Sequence, residues 1–91
     1  MPTSAQLKQK AMGFIQGIER MSDTAKKVQP NASYGEDFNR LRSMIEQVHP
    51  ELKELLPPAL HIFSPHPYPD RTRETYDEIA TFCQQMANLL P

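Results

Sequence analysis

Residues 33–56, SYGEDFNRLRSMIEQVHPELKELL, carry the pattern on which the fold turns. Tyr34, Phe38, Leu41, Ile45, Val48, Leu52 and Leu55 recur at alternating steps of four and three, one apolar stripe along a helix, with Pro50 lying off it. Ser33 is placed to cap this helix, with Glu36 at the reciprocal position. Glu36 and Asp37 put negative charge at the positive end of the helix dipole. Pro50 demands either a kink or a stop near His49 with a short helix beginning at the proline. Because the stripe keeps its phase across Pro50, a kinked, nearly continuous helix is the favoured expectation.

Working back toward the start, Thr3 and Gln6 have the spacing of a capping box, and an equivalent stripe follows: Leu7, Ala11, Phe14, Ile18, Met21, Ala25 and Val28. Gly13 and Gly17 weaken this helix by about 1 kcal/mol each relative to alanine. Both suit a site of close approach by another helix. Pro30 separates the two stripes, so the helices should fold back on each other as an antiparallel hairpin. The expected pairing sets Val28 opposite Tyr34, Ile18 opposite Ile45, Phe14 opposite Val48 and Leu7 opposite Leu55. Charge favours it weakly: residues 1–30 carry five basic and two acidic side chains, residues 31–56 three basic and five acidic.

Working forward, residues 57–69 read PPALHIFSPHPYP, without a formal charge and too rich in proline for a helix or a central strand. This stretch should be an extended strap long enough to retrace the second helix, pinned by Leu60, Ile62, Phe63 and Tyr68. The direction of the next helix is left open by it. That helix, capped by Asp70 or Thr72, has a stripe of Tyr76, Ile79, Cys83, Met86 and Leu90, widened by Ala80, Phe82, Ala87 and Leu89. No charged residue follows Glu78, so the last helix is either deeply buried or meets a partner.

The expected fold is all-α: an antiparallel hairpin and a third helix forming a three-helix bundle, with the strap between helices 2 and 3. It is a single domain over residues 1–91, with helices at about 4–28, 34–56 and 72–90.

Formal charge is −1, so no global field selects nucleic acid or an anionic membrane. The one cysteine excludes an internal disulfide framework, and residues 1–10 lack the pattern of a signal peptide; a cytoplasmic protein with no membrane association is expected. His49, His61 and His66 are potential ligands of a transition metal or parts of an accessory enzyme, but their spacing is no metal signature and packing roles are preferred. Cys83 has no base beside it in the sequence and reads as core.

Glu36, Asp37, Glu74, Asp77 and Glu78 fit helix starts and pairs such as Glu36 with Arg40 or Arg73 with Asp77 better than acid–base catalysis. Lys8, Lys10, Arg20, Lys26 and Lys27 make the first helix basic, the one feature pointing to a nucleic-acid-associated regulator. No recognition motif accompanies it. The expectation is therefore a non-catalytic protein–protein interaction or adaptor module, with no cofactor and no metal, binding a protein partner or itself. Its contact surface would lie on helix 3 and the strap through Leu60, Ile62, Phe63, Tyr68, Phe82 and Leu89.

Overall fold

A computed structural model describes residues 2–91; Met1, included in the expected domain, lies outside the described residues. In chain order the elements are α1 (Ser4–Glu19), α2 (Asp23–Lys26), α3 (Ala32–Val48), a 3-10 helix (Pro50–Leu55), β1 (Ile62–Phe63), β2 (Arg71–Thr72) and α4 (Tyr76–Leu89). The protein is thus mostly helical with a two-stranded antiparallel sheet, where an all-α fold was expected. Its radius of gyration is 13.2 Å, close to the ~12 Å of a compact chain this long.

The capping box forms as expected: Gln6 N–H donates to Thr3 Oγ1 at 3.2 Å and Thr3 N–H donates to Gln6 Oε1 at 2.9 Å. The first helix does not run to residue 28. It stops at Glu19, because Ser22 Oγ accepts from Ala25 N–H at 3.1 Å and starts a new turn, beyond a stretch already weakened by Gly17. Asn31, not Ser33, caps α3, its Oδ1 accepting from Tyr34 N–H at 3.0 Å.

At the far end the expected kinked continuation is replaced by a break. His49 leaves the helical region and Pro50 opens the 3-10 helix, where its missing N–H costs nothing. The early stop of α1 resets the pairing of the helices. Phe14, expected opposite Val48, has its ring 5.2 Å from Tyr34 and 6.4 Å from Phe38, at least ten positions nearer the start of α3. Val28 and Leu55, expected on the stripes, are 51 % and 62 % exposed, the first beyond the end of α2 and the second in the 3-10 helix after the break.

The core gathers Leu7, Ala11, Ile15 and Ile18 of α1 with Phe38, Leu41 and Ile45 of α3 and Ile79, Cys83, Met86 and Ala87 of α4. Leu56, Leu60 and Leu90 complete it. α1 packs most extensively on α4 and runs antiparallel to it, so that Pro91 lies beside Ala5, Gln9 and Met12. α3 and α4 run parallel: Tyr34 stacks edge-on to Tyr76 at 5.1 Å and Phe38 lies 6.3 Å from Phe82.

A parallel pair needs a return path, and the strap supplies one. Arg42 Nε donates to Pro57 O at 2.6 Å. Asn39 holds both backbone groups of Leu60, donating to its carbonyl at 3.1 Å and accepting its N–H at 2.7 Å. The strap then leaves α3 to pair Ile62 with Thr72 and Phe63 with Arg71, through a turn that includes a cis His66–Pro67 bond. Beyond β1 the extended form is therefore a short hairpin and not a full retracing of α3.

The returning strand also pairs with the α2–α3 link: Ala32 N–H donates to Asp70 O, Thr72 N–H to Pro30 O and Tyr76 N–H to Val28 O. That pairing removes residues 70–72 from the last helix, which Thr75 caps in place of Asp70 or Thr72. Gly35 is where β2 meets α3; a Cβ there would run into Thr72 Cγ2, and Thr72 is fully buried. Among the described residues no helix is long and apolar enough to cross a membrane.

Candidate functional site

The two glycines of α1 are not used for close approach within the chain. A Cβ built on Gly13 or Gly17 would meet nothing within 4 Å. Being one helical turn apart, they leave a bare strip on α1, and the groove beside it, of about 510 Å³, runs between α1 and α3. Phe14 and Met21 form one wall, Tyr34, Leu41 and Met44 the other, with Lys10, Asp37 and Arg40 at the rim. Asp37 and Arg40 pair with each other at 3.3 Å, in place of the expected Glu36–Arg40 pair, on side chains more than 60 % exposed.

The aromatic wall is held from below by edge-to-face packing of Phe14 on Tyr34 and of Tyr34 on Tyr76. The Tyr34 hydroxyl is pushed well above its ordinary pKa, first by burial and then by the neighbouring Cys83 and Tyr76, so it stays a neutral donor. Burial alone pushes the Cys83 thiol up to about 12. A buried thiol that holds its proton this firmly is core and not a nucleophile.

The residues expected to form the contact surface are placed unevenly. Leu60 is buried at 5 % exposure, the strap's anchor in the core and not part of an outer surface. Phe63 is half-buried, and Phe82 and Leu89 pack half-buried against the core. Ile62 and Tyr68 stand out at the strap hairpin, 38 % and 66 % exposed. Beyond the acidic first turn of Asp77 and Glu78, the part of α4 that faces outward is polar without charge, namely Thr81, Gln84, Gln85 and Asn88. Its missing charges therefore reflect a large buried face bordered by amides.

The three histidines lie in three places. His66 is exposed in the hairpin turn. His61 N–H and Nδ1 both reach the Glu74 carboxylate, at 3.1 and 2.9 Å, which anchors the strap to the approach of α4. His49 closes α3, with Ser4 Oγ on Nε2 and Glu51 Oε1 on Nδ1. The Glu51 carboxyl is held below the usual carboxylate range by its own backbone N–H and then by His49. Among the described residues no group of three histidine, cysteine, aspartate or glutamate side chains converges to hold a metal ion.

The break after Glu19 divides the basic residues of the expected long helix: Lys8 and Lys10 sit on α1, Lys26 and Lys27 at the end of α2 and just beyond. Sequence reasoning missed the role of Asn39 and Arg42 in holding the strap and the meeting of Ser4 with His49. Neither has a periodic signal, since both link residues far apart in the chain. The chain matches no known family, no curated protein and no solved structure.

Proposed function

We propose that the chain is a small protein–protein interaction or adaptor module, a helical bundle of α1, α3 and α4 whose principal contact surface is the groove between α1 and α3. The observation that carries this reading is the bare Gly13–Gly17 strip: a surface suited to close approach that no element among the described residues occupies. Apolar walls with a few rim charges are the makeup of grooves that take an amphipathic helix through anchors spaced three and four residues apart. The groove extends from Lys10 to Met21, about three turns, and its net rim charge of one positive unit favours a helix with acidic flanks. Ile62 and Tyr68 at the strap hairpin form a second, smaller contact.

Photo-crosslinking tests the reading. A benzoylphenylalanine at position 17, where the space is open, should capture one protein through an apolar, acid-flanked helix, and Met44→Glu should abolish the capture. The same probe at Gln84, on the polar face of α4, should not capture it. Equal capture from positions 17 and 84, or none from 17, refutes the groove as the contact surface.

A further inference from the structure

Ser4, His49 and Glu51 form a connected cluster separate from the groove. Ser4 Oγ lies 2.5 Å from His49 Nε2, and His49 Nδ1 lies 3.1 Å from Glu51 Oε1. Each member is set by backbone structure. Ser4 is the first residue of α1, directly after the capping Thr3. His49 ends α3 with its N–H on Ile45 O at 2.8 Å, and the following Pro50 fixes where Glu51 stands in the first turn of the 3-10 helix. The His49 side chain is only 18 % exposed, whereas that of Glu51 is 66 % exposed.

The bonding pattern assigns the proton. An ionised carboxylate only accepts, so Nδ1 carries the hydrogen shared with Glu51, and in the neutral ring Nε2 is left as the acceptor of the Ser4 hydroxyl. A base on the hydroxyl and a carboxylate on the far side of the base is the arrangement that activates a serine. The first turn of α1 adds a second component. Thr3 Oγ1 takes the Gln6 N–H and Thr3 O takes the Leu7 N–H, while the Ser4 and Ala5 N–H groups have no acceptor within the helix. These donors belong to Ser4 itself and its neighbour, at the positive end of α1, and are free to stabilise an oxyanion.

We propose that Ser4 is an acyl-accepting nucleophile, with His49 as its general base and Glu51 as a positioning residue, acting on small unhindered carboxylic esters. Small substrates follow from the surroundings: the hollows at this end of the molecule, one lined by Pro2, Gln6, Gln9 and Lys10 and one by Ser43, Glu46, Gln47, Pro50 and Lys53, include none of the three members of the cluster, so the substrate must need no deep pocket of its own. Ser4 Oγ bonds to the ester carbonyl carbon as its proton passes to His49 Nε2. The bond from that carbon to the leaving oxygen then breaks, and the same proton leaves with the alcohol. Water, deprotonated in turn by His49, displaces the acyl group from Ser4 as a carboxylic acid and restores the hydroxyl.

The probe is p-nitrophenyl acetate, followed by p-nitrophenolate release and by peptide mass mapping of the intact chain. The acetyl group should appear on the peptide containing Ser4, and Ser4→Ala should remove both the adduct and the excess release. His49→Gln should slow Ser4 acetylation about 100-fold, the lower end for a positioned general base. Glu51→Gln should slow it at an unchanged melting temperature, which a purely structural role would not do. His61→Gln and His66→Gln should leave Ser4 acetylation as it is. Release equal in Ser4→Ala and the unmodified chain, or acetyl groups on lysines alone, overturns the proposal. Should His49→Gln unfold, labelling by a fluorophosphonate decides: a Ser4 adduct supports the assignment and its absence refutes it.

Discussion

Replacing Gly35 by alanine should destabilise the protein, although the same change elsewhere in its helices should do the reverse. In an open helical position alanine is worth about 1 kcal/mol over glycine. Gly13 and Gly17 are such positions, with nothing within 4 Å of a built Cβ. At Gly35 the new Cβ meets Thr72 Cγ2, with Ile62 Cγ1 at 3.6 Å closing the other side. Thr72 cannot turn away. It is β-branched and fully buried, its N–H donates to Pro30 O at 2.9 Å, and its Oγ1 donates to Glu74 O at 2.8 Å.

Relief must therefore come from moving β2 off α3, at the upper end of the roughly 1–3 kcal/mol that overpacking costs. Set against the helical gain, the net loss is about 2 kcal/mol, or about 10 °C in melting temperature for a chain of this size. Gly17→Ala should instead raise it by about 4–8 °C. Thermal melts by circular dichroism read both. Thr72→Ser removes the offending methyl and keeps the hydroxyl, so the Gly35→Ala/Thr72→Ser pair should recover at least about 1 kcal/mol relative to the sum of the single changes. A Gly35→Ala protein melting at or above the parent, or additive behaviour of the pair, refutes the packing described between β2 and α3.

Three further outcomes are expected. Asn39→Ala leaves both backbone groups of the buried Leu60 without partners, costing about 1–3 kcal/mol; hydrogen exchange should show the Leu60 amide losing its protection, and unchanged protection would count against the anchor. Phe38→Ala empties a fully buried site between Phe14 and Phe82 and should cost about 3–5 kcal/mol in urea denaturation, whereas a loss below ~1 kcal/mol would be inconsistent with its place in the core.

Burial pushes the Cys83 thiol from its ordinary 9.0 up to about 12. Its contribution to stability is whole below pH 9 and is lost between pH 9 and about 12, as the unfolded chain gains thiolate. The raised pKa of Tyr34 acts in the same direction. Iodoacetamide should label Cys83 in urea but not in the native protein at pH 8, and the alkaline loss should be shallower in Cys83→Ala; native labelling or an identical pH profile would refute this.

Much of the helical content could be read from residue spacing, because burial imposes its period on the chain. The spacing places Phe38, Leu41 and Ile45, then Ile79, Cys83, Met86 and Leu90, on apolar stripes, and all seven are buried. Ile15 was missed, since α1 buries one face through Ile15 and turns its neighbour Phe14 toward α3. The pairing of α1 with α3 was misread for a different reason. It depends on where α1 stops, and that was decided by one weak local competitor, the Ser22 hydroxyl, which periodicity does not register.

The strands carry no period because each is two residues long, β1 at proline-free positions of the proline-rich stretch and β2 just beyond it. For the candidate sites, Gly13 and Gly17 were recognised as a surface for close approach, but the vacancy there shows only in three dimensions. Ser4 and His49 are 45 positions apart, and no spacing in the chain links the two.

The antiparallel packing of α1 on α4 has a kinetic consequence. The most extensive helix contact joins the first long helix to the last, so closing it carries the entropy of a loop spanning most of the chain. During synthesis α1 and α3 emerge with Leu7, Ala11 and Phe38 not yet covered by α4. Stable folding of this bundle therefore waits for Tyr76–Leu89, and a nascent chain that has not yet released α4 should remain open to chaperones and proteases.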